Sequence, residues 1–469
     1  MSKNTSKNDD VDDREAGDYD DSLYEREARE VYEDLLGRIG ESTPQPRLDA
    51  TRRAVEMLGD PQRAYPVIHI TGTNGKTSTS RMIESLLRAH DLRTGMLTSP
   101  HLERVNERIV IDGEPISNQA LASNWQDIQP FLNLADAELE AKGEAPLSFF
   151  EALTVLAFAA FADAPVDVAV LEVGMGGEWD STNVADGQVA VFAPIALDHT
   201  ARLGNTVREI ATTKAGIIKE GAAVVSAQQL PEALAELERA TAEHSGSLAV
   251  DGNEFALVSG TVAVGGQVLT VKGLAGTYTD VFLPLFGDHQ ARNATLAIAA
   301  VESFIGGGTQ ALNPDIVAEG LATVTSPGRL QVVGIEPTVL VDAAHNPHGA
   351  EALAASIGAY FTFDHVTAVI GVLGDKDAEG IVRALDGVVN EFVVTQSSSD
   401  RAIEADDLAA TVVRIVGADR VIVEPSIEGA LEYARDQASN TEKGAVLVTG
   451  SITLIADVMA LAKDQGWKP

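Results

Sequence analysis

The run Gly72-Thr73-Asn74-Gly75-Lys76-Thr77 is the segment of this chain whose residue types point most directly to chemistry. It follows the apolar run Val67–Ile70 and precedes an amphipathic stretch, as in a strand–loop–helix unit. Glycines let backbone N–H groups approach phosphate oxygens, Lys76 adds a positive charge and Thr77 offers a hydroxyl to Mg²⁺. The strict pattern places its first glycine where this chain has Ile70, so we expect a shortened phosphate-binding loop. The alternative is an ordinary glycine-rich turn before a helix.

Two further predicted strands end on side chains that can hold a metal ion. The run Val168–Leu171 is followed by Glu172, and the run Pro194–Leu197 is followed by Asp198 and His199. Ligands bind at the carboxyl ends of strands in open α/β sheets, and a carboxylate that faces a phosphate loop suits Mg²⁺. We therefore expect these residues beside the loop, although each could be an ordinary polar residue at a strand end.

Later segments contribute further charged candidates. Lys214 lies in a predicted helix of a chain that otherwise contains few lysines, although a surface lysine is the simpler reading. Asp342 and His345 follow the predicted strand Val339–Val341, and Arg329 could reach phosphates from the opposite side of a cleft. The run 375–377, Asp-Lys-Asp, also follows a predicted strand.

The elements that must position these residues alternate between apolar runs and helical patterns, which predicts an α/β fold with a parallel sheet covered on both faces. Residues 246 to 283 instead predict a small antiparallel patch. We expect an acidic disordered tail at 1–22, a first domain at 23–325 and a smaller Rossmann-like α/β domain at 326–469. The predicted strands are Val67–Ile70, Arg93–Leu97, Val168–Val173, Val189–Ile195, Val339–Val341, Val366–Val372, Phe392–Thr395, Arg420–Val423 and Ala445–Val448.

The composition narrows the class of protein. There are 34 basic and 70 acidic residues, a net charge of −36, which argues against nucleic acid as a partner. The chain has no cysteine, which excludes disulfides and thiolate chemistry, and no apolar run long enough to span a membrane. The sequence predicts a cytoplasmic monomer. The acidic balance, the excess of arginine over lysine and the lack of cysteine predict adaptation to high intracellular salt, as in a halophilic archaeon.

These motifs together resemble the Mur ligase superfamily and, within it, the folylpolyglutamate synthase/dihydrofolate synthase branch. The resemblance extends from about Leu23 to the C-terminus and depends on many ordered motifs. They include Leu58–Gln62, Gly72–Ser78, Thr98–Leu102, Glu107–Ile109, Leu147–Glu151, Leu171–Gly177, Asp180–Asn183, Leu197–Thr200, Lys214–Ile217, His289-Gln290, Asn293-Ala294, Pro327–Arg329, Asp342–Pro347 and Thr449–Ser451.

The resemblance implies a phosphate-loop ATPase domain followed by the smaller domain, and an ATP-dependent ligase that adds L-glutamate to dihydropteroate, to a folate or to both. Mg²⁺ is the implied metal and K⁺ is a further candidate. Catalysis is assigned to Lys76, to a carbamylated Lys214 and to His345 as a candidate base. The implied ATP contacts are Thr73, Asn74, Gly75, Lys76, Thr77, Ser78, Asn293, Arg329 and Asp342. The implied metal ligands are Ser99, Glu172 and His199, and the implied pterin contacts are Ser148, Phe149, Phe150, Glu151, Trp179, Asp180 and Ser181.

Three positions depart from the family pattern. Thr77 replaces the usual glycine of the loop, Glu178 reverses the charge of an arginine near the expected pterin site, and Thr213 replaces a glutamate before Lys214. These departures leave the acceptor open. The alternatives are a Mur-type ligase for another pterin or for a cell-wall precursor, and a nucleotide-binding scaffold protein without catalysis.

Overall fold

The structure is a computed structural model that describes residues 21–41 and 43–467. Residues 1–20 of the expected acidic tail lie outside the described residues. Asp21, which the tail was expected to include, is described: its carboxylate accepts hydrogen bonds from the backbone N–H groups of Asn118 and Gln119, at 3.1 and 3.2 Å.

The described strands form three sheets. An eight-stranded sheet has the order β4-β3-β2-β5-β1-β6-β7-β8, a three-stranded sheet has the order β11-β10-β9, and a six-stranded sheet has the order β12-β13-β17-β14-β15-β16. The strands are β1 Val67–Thr71, β2 Thr94–Leu97, β3 Ile109–Ile111, β4 Glu114–Pro115, β5 Val168–Glu172, β6 Gly187–Phe192, β7 Ala223–Ser226, β8 Ser247–Val250, β9 Ala256–Ala263, β10 Gly266–Lys272, β11 Thr277–Leu283, β12 Gln331–Ile335, β13 Thr338–Asp342, β14 His365–Ile370, β15 Glu391–Val394, β16 Val421–Val423 and β17 Gly444–Thr449.

The helices cover the two larger sheets. They are α1 Glu25–Leu36, α2 Asp49–Met57, α3 Lys76–Ala89, α4 Asn118–Ala141, α5 Phe149–Asp163, α6 Thr200–Leu203, α7 Val207–Ala215, α8 Pro231–Glu243, α9 Asp288–Gly306, α10 Pro314–Ala322, α11 Pro347–Tyr360, α12 Ala378–Leu385, α13 Ala405–Val416, α14 Ile427–Ser439 and α15 Ile452–Asp464. Within the described residues, no helix is both long and apolar enough to cross a membrane.

The centre of the first sheet is apolar on both faces because helices pack against each side. In β1, Ile68 and Ile70 belong to a core that includes α3 and α9, whereas Val67 belongs to a core that includes α4 and α5. Successive side chains of a strand point to opposite faces, so a strand covered on both sides must be apolar throughout. This is why β1, β5 and β6 appear in the sequence as continuous apolar runs, and the expected α/β fold is confirmed.

The strand order places the chemistry-bearing segments together. Strand β1 lies between β5 and β6 and is parallel to both, with Ile70 beside Glu172 and Thr71 beside Phe192. The loop after β1, the end of β5 and the segment after β6 therefore meet at one edge of the sheet.

Strands β7, β8 and β12 differ from the sequence expectation, and β7, Ala223–Ser226, was not among the predicted strands. Ser247–Val250 lies within the segment expected to be antiparallel, but it extends the parallel sheet beside β7. Strand β12, which the sequence did not indicate, pairs antiparallel with β13 across the turn at Glu336 and Pro337. Strands β9 to β11 are antiparallel as expected. The boundary at residue 326 falls between α10 and β12 and stays a prediction.

Phe158 of α5 offers a test of the core around this sheet, since it is fully buried whereas Phe131 of α4 is 39% exposed. Phe158→Ala should lower the free energy of unfolding by about 3–5 kcal/mol, because the cavity left behind cannot close completely. Phe131→Ala is the control and should have little effect. Denaturant unfolding at a fixed KCl concentration measures both, and equal losses in the two variants would contradict the assignment of α5 to the core.

Candidate active site

A cavity of about 1320 Å³ lies at the carboxyl ends of the central strands and is lined by both domains. All the expected site residues except Phe149 and Ser181 line this cavity. Those that line it are Thr73, Asn74, Gly75, Lys76, Thr77, Ser78, Ser99, Ser148, Phe150, Glu151, Glu172, Trp179, Asp180, His199, Lys214, Asn293, Arg329, Asp342 and His345. Residues far apart in the chain thus surround one space.

The phosphate-binding loop holds its lysine close to its own backbone. Lys76 Nζ donates to the carbonyl oxygens of Gly72 and Thr73, each at 3.2 Å. Burial lowers the pKa of Lys76. Gly75 has a φ of +87°, and a Cβ atom there would lie 2.7 Å from Asn293 Oδ1, so both backbone conformation and space require glycine.

Glu172 presents one buried carboxylate oxygen that has no hydrogen-bond partner in the described part of the chain. Thr77 Oγ1 donates to Glu172 Oε1 at 3.0 Å, while Oε2 is unpaired among the described residues. Burial raises the pKa of Glu172 to about 7, although the charge of Lys76 opposes the shift. Unpaired buried carboxylate oxygens are costly, so this atom fits a site for a cation between the loop and β5.

His199 and Ser99 line the same cavity and supply a ring nitrogen and a hydroxyl oxygen. His199 precedes α6 in a left-handed conformation, with a φ of +49°. Burial and the charge of Lys376 lower its pKa to about 4, which leaves the ring neutral, as a metal ligand must be. The part of the chain that the structure describes holds no cluster of three His, Cys, Asp or Glu side chains suited to a metal. The expected metal ligands include only two residues of these types, Glu172 and His199.

Lys214 is buried at the end of α7, and its ammonium group touches the loop. Its Nζ donates to the carbonyl oxygen of Gly72 at 2.8 Å. Burial, followed by the charge of Lys76, lowers the pKa of Lys214 to about 7. A substantial fraction of the amine is therefore neutral and nucleophilic near neutral pH.

Asp198 connects the two domains, a role that the sequence analysis did not assign. Its carboxylate lies 2.7 Å from Lys376 Nζ and 3.6 Å from His345 Nε2. Burial alone would raise the pKa of Asp198, but the neighbouring His345 and the charge of Lys376 outweigh it and lower the pKa. The sequence offered one signal for this contact. Lys376 follows β14, which places a cation at the carboxyl end of the six-stranded sheet.

Asp342 orients the loop that carries Arg329. Its two carboxylate oxygens accept the backbone N–H groups of Leu330, at 2.7 Å, and Ala344, at 2.8 Å. His345 Nδ1 donates to the carbonyl oxygen of Ala343 at 2.9 Å. Arg329 thus lines the cavity from the second domain.

Most of the residues expected to contact a pterin line the cavity, and their polar groups are largely occupied by hydrogen bonds within the protein. Ser148 and Glu151 form a reciprocal cap at the start of α5, and Glu151 also accepts from Arg47 Nε at 3.0 Å. Asp180 accepts from Thr182 Oγ1 at 2.6 Å and from the Met175 N–H at 2.9 Å. These groups shape the walls of the cavity.

Phe149 and Ser181 do not line the cavity. Phe149 packs in the core with the Arg108 guanidinium 5.0 Å from its ring centre, and Ser181 Oγ lies 2.7 Å from Thr154 Oγ1. Glu178, one of the departures from the family pattern, is exposed and also lies outside the cavity lining. Its negative charge therefore does not face this space.

Comparison with known proteins agrees with this geometry. Residues 70–301 match the Mur ligase middle domain, and residues 328–452 match the Mur ligase glutamate ligase domain. The chain is 44% identical to the dihydrofolate synthase/folylpolyglutamate synthase of Mycobacterium tuberculosis over 436 residues, which cover 88% of this chain and 90% of that protein. The chain belongs to the folylpolyglutamate synthase/dihydrofolate synthase branch of the Mur ligase family.

Solved structures of this family share the fold over nearly the whole chain. Mycobacterium tuberculosis folylpolyglutamate synthase complexed with ADP and AMPPCP superposes with a TM-score of 0.89 at 43% identity, covering 95% of this chain and 100% of that one. Escherichia coli FolC in complex with DHPP and ADP superposes with a TM-score of 0.79 at 30% identity, covering 93% and 98% of the two chains.

His69 of β1 contacts a segment next to the cavity wall. Its Nε2 lies 2.9 Å from Thr182 Oγ1, which in turn donates to Asp180, so β1 is tied to the loop that carries Trp179. The ring is fully buried, and burial lowers the pKa of His69 to about 3.

The His69 ring is neutral in the folded protein, but it protonates with a pKa near 6.5 when the protein is unfolded. Its contribution to the free energy of unfolding is therefore complete above pH 6.5 and is lost as the pH falls towards 3. Because the folded protein keeps this ring neutral, its free energy of unfolding should be about 2 kcal/mol lower at pH 5 than at pH 7. His69→Gln, whose amide can still reach Thr182, should therefore lose less stability between pH 7 and pH 5. Denaturant unfolding at both pH values measures this, and an equal loss in the variant would refute it.

Proposed function

We propose that this protein is an ATP- and Mg²⁺-dependent ligase that joins L-glutamate to dihydropteroate, to a folate or to both. The observation that carries the proposal is the unpaired oxygen of Glu172 beside a phosphate-binding loop, inside a cavity shared by two domains. The relatives named as dihydrofolate or folylpolyglutamate synthases, together with the FolC complex that contains DHPP, support a folate-type acceptor.

The reaction begins when the carboxylate of the acceptor attacks the γ-phosphate of ATP, which gives an acyl phosphate and ADP. The amine of glutamate then attacks the acyl carbon, and phosphate leaves from the tetrahedral intermediate as the amide forms. When bound, Mg²⁺ offsets the negative charge of the phosphates, and Thr77, Ser99, Glu172 and His199 are the residues that would hold it.

The protein's own residues mainly position groups and balance charge. Lys76 exchanges its contacts with the loop carbonyl oxygens for contacts with phosphate oxygens, and Arg329 approaches the phosphates from the second domain. The amine of glutamate must lose a proton before or during attack. His345 is the candidate acceptor of that proton, because it lines the cavity and lies 3.6 Å from Asp198, which can stabilise the resulting cation.

Lys214 is proposed to be carbamylated. The ammonium group would first release one proton, and the neutral amine would then add to the carbon of CO₂ and lose a second proton, so that a cation becomes an anion. The lowered pKa supplies the neutral amine that this step needs, and burial shields the product from solvent. The carbamate would place negative charge beside the phosphate loop and so favour a second Mg²⁺.

The function can be tested by offering different acceptors to the purified protein. With ATP, Mg²⁺ and glutamate in multimolar KCl, dihydropteroate or tetrahydrofolate should cause phosphate release and a muramyl precursor should not. Absence of release with both pterin acceptors would reject the folate assignment, and release with the muramyl precursor would favour a cell-wall ligase. Lys76→Ala and Glu172→Ala should abolish turnover, since the first removes a positive charge at the phosphates and the second removes a ligand of the cation, and near-normal rates in either would reject the site.

The carbamate has a separate test. Lys214→Ala should lose nearly all turnover, because the anion beside the loop is missing, and added short carboxylates should restore part of it. Lys219→Ala is the control, since Lys219 contacts the carbonyl oxygen of Asn183 rather than the loop. A lack of rescue, combined with no mass increase on the native protein's Lys214 peptide after carbamate trapping, would contradict the modification.

Salt dependence tests the halophilic interpretation, which derives from composition. A net charge of −36 destabilises a compact chain by self-repulsion unless salt screens it. We therefore expect the thermal midpoint and the turnover rate to rise with KCl from 0.1 M to multimolar concentrations. Full stability and activity in dilute buffer would contradict this. A role for K⁺ in catalysis, the cytoplasmic location and the monomeric state stay predictions.

A further inference from the structure

A pair of amide side chains joins the phosphate-binding loop to the second domain. Asn74 Nδ2 donates to Asn346 Oδ1 at 3.1 Å, and Asn346 Nδ2 donates to Asn74 Oδ1 at 3.0 Å. Asn74 belongs to the loop between β1 and α3, and Asn346 directly precedes α11. The reciprocal pair therefore crosses from one domain to the other at the place where phosphates are expected to bind.

Further contacts fix the orientation of the Asn346 amide. Its Oδ1 also accepts the backbone N–H of Gly349 at 2.8 Å, which caps α11, and its Nδ2 also donates to Asp198 Oδ2 at 3.2 Å. An N–H requires an oxygen and a carboxylate requires a donor, so the two ends of the amide cannot be exchanged. Asn74 must then take the complementary orientation.

The pair is shielded from water on the side of Asn346, which is 3% exposed. Hydrogen bonds in such surroundings are stronger than those at the surface, and an unpaired amide there is costly. One side chain thus touches the phosphate loop, the start of α11 and the carboxylate of Asp198.

We propose that Asn346 is a positioning residue that docks the second domain on the phosphate loop through Asn74 and aligns it with Asp198. This role depends on the proposed function, in which an acyl phosphate forms at the loop and is attacked by an amine that the second domain delivers. A displacement of reacting groups by about 1 Å can cost on the order of 100-fold in rate. Loss of the pair therefore affects the chemical step more than the binding of ATP.

Asn346→Ser separates the docking role from the capping role. A serine hydroxyl still accepts the Gly349 N–H, since serine is a good helix cap, but it is too short to pair with Asn74 or to donate to Asp198. Asn313→Ser is the matched control. Asn313 caps α10 by accepting the backbone N–H of Asp315 at 3.0 Å, and it lies at the surface.

Kinetics give the first test. With a pterin acceptor, Asn346→Ser should lower kcat about tenfold or more, while the affinity for ATP from direct titration changes little. Asn74→Ala should lose less kcat when added to Asn346→Ser than when made alone, because both variants break the same amide pair, although Asn74 Nδ2 also lies 2.8 Å from His348 Nδ1. A normal kcat in Asn346→Ser, losses that multiply in the double variant, or an equal loss in Asn313→Ser would each overturn the proposal.

The second test needs no activity. Because the chain has no cysteine, Ala242→Cys on α8 and Ala410→Cys on α13 create unique sites for spin labels, one in each domain. The distance distribution between the labels should broaden or shift with Asn346→Ser and with Asn74→Ala, but not with Asn313→Ser. An unchanged distribution would overturn the docking role. If the protein ligates no acceptor but the distribution still responds to Asn346→Ser, the proposed function fails and the docking role stands.

Discussion

The burial of charged groups at the carboxyl ends of β1, β5 and β6 is the constraint on which the rest of the site depends. A buried charge is costly unless opposite charges or hydrogen bonds compensate it. Strands β1 and β5 bring Lys76 and Glu172 to one edge, the end of α7 adds Lys214, and the second domain covers them. The pKa values of the Glu172 carboxyl group and the Lys214 amine are both about 7. The site without ligands therefore holds much less charge than its residues suggest. In the proposed function, ATP and a cation would supply the missing charge.

The sequence predicted much of the fold because the central strands are covered on both faces. Such strands appear as continuous apolar runs, and their carboxyl ends meet at one edge, so the expectation for Glu172 and His199 followed from topology alone. Strand β8 was harder to place, because a short run such as Ser247–Val250 fits a parallel or an antiparallel sheet equally well. Strand β12 lies at an edge and is only partly buried, so it has no continuous apolar pattern.

The parts of the site that the sequence did not show are contacts between distant residues. Asn74 and Asn346 are separated by 272 positions, and Asp198 and Lys376 by 178. No local pattern encodes such pairs, because they exist only once the second domain lies against the first. Phe149 and Ser181 illustrate the opposite difficulty. They lie beside residues that line the cavity, but the turn of a helix directs their side chains into the core instead.

The contacts of Lys76 bear on what a measured nucleotide affinity means. The ammonium group already donates to the carbonyl oxygens of Gly72 and Thr73. An arriving phosphate must take over those donors, so binding is an exchange of partners, and the observed affinity is the difference between two sets of hydrogen bonds. The Gly72 carbonyl has a second donor, the Lys214 amine. Modification of Lys214 would leave a single carbamate N–H in place of this amine, and so would change the strength with which the loop retains its own lysine.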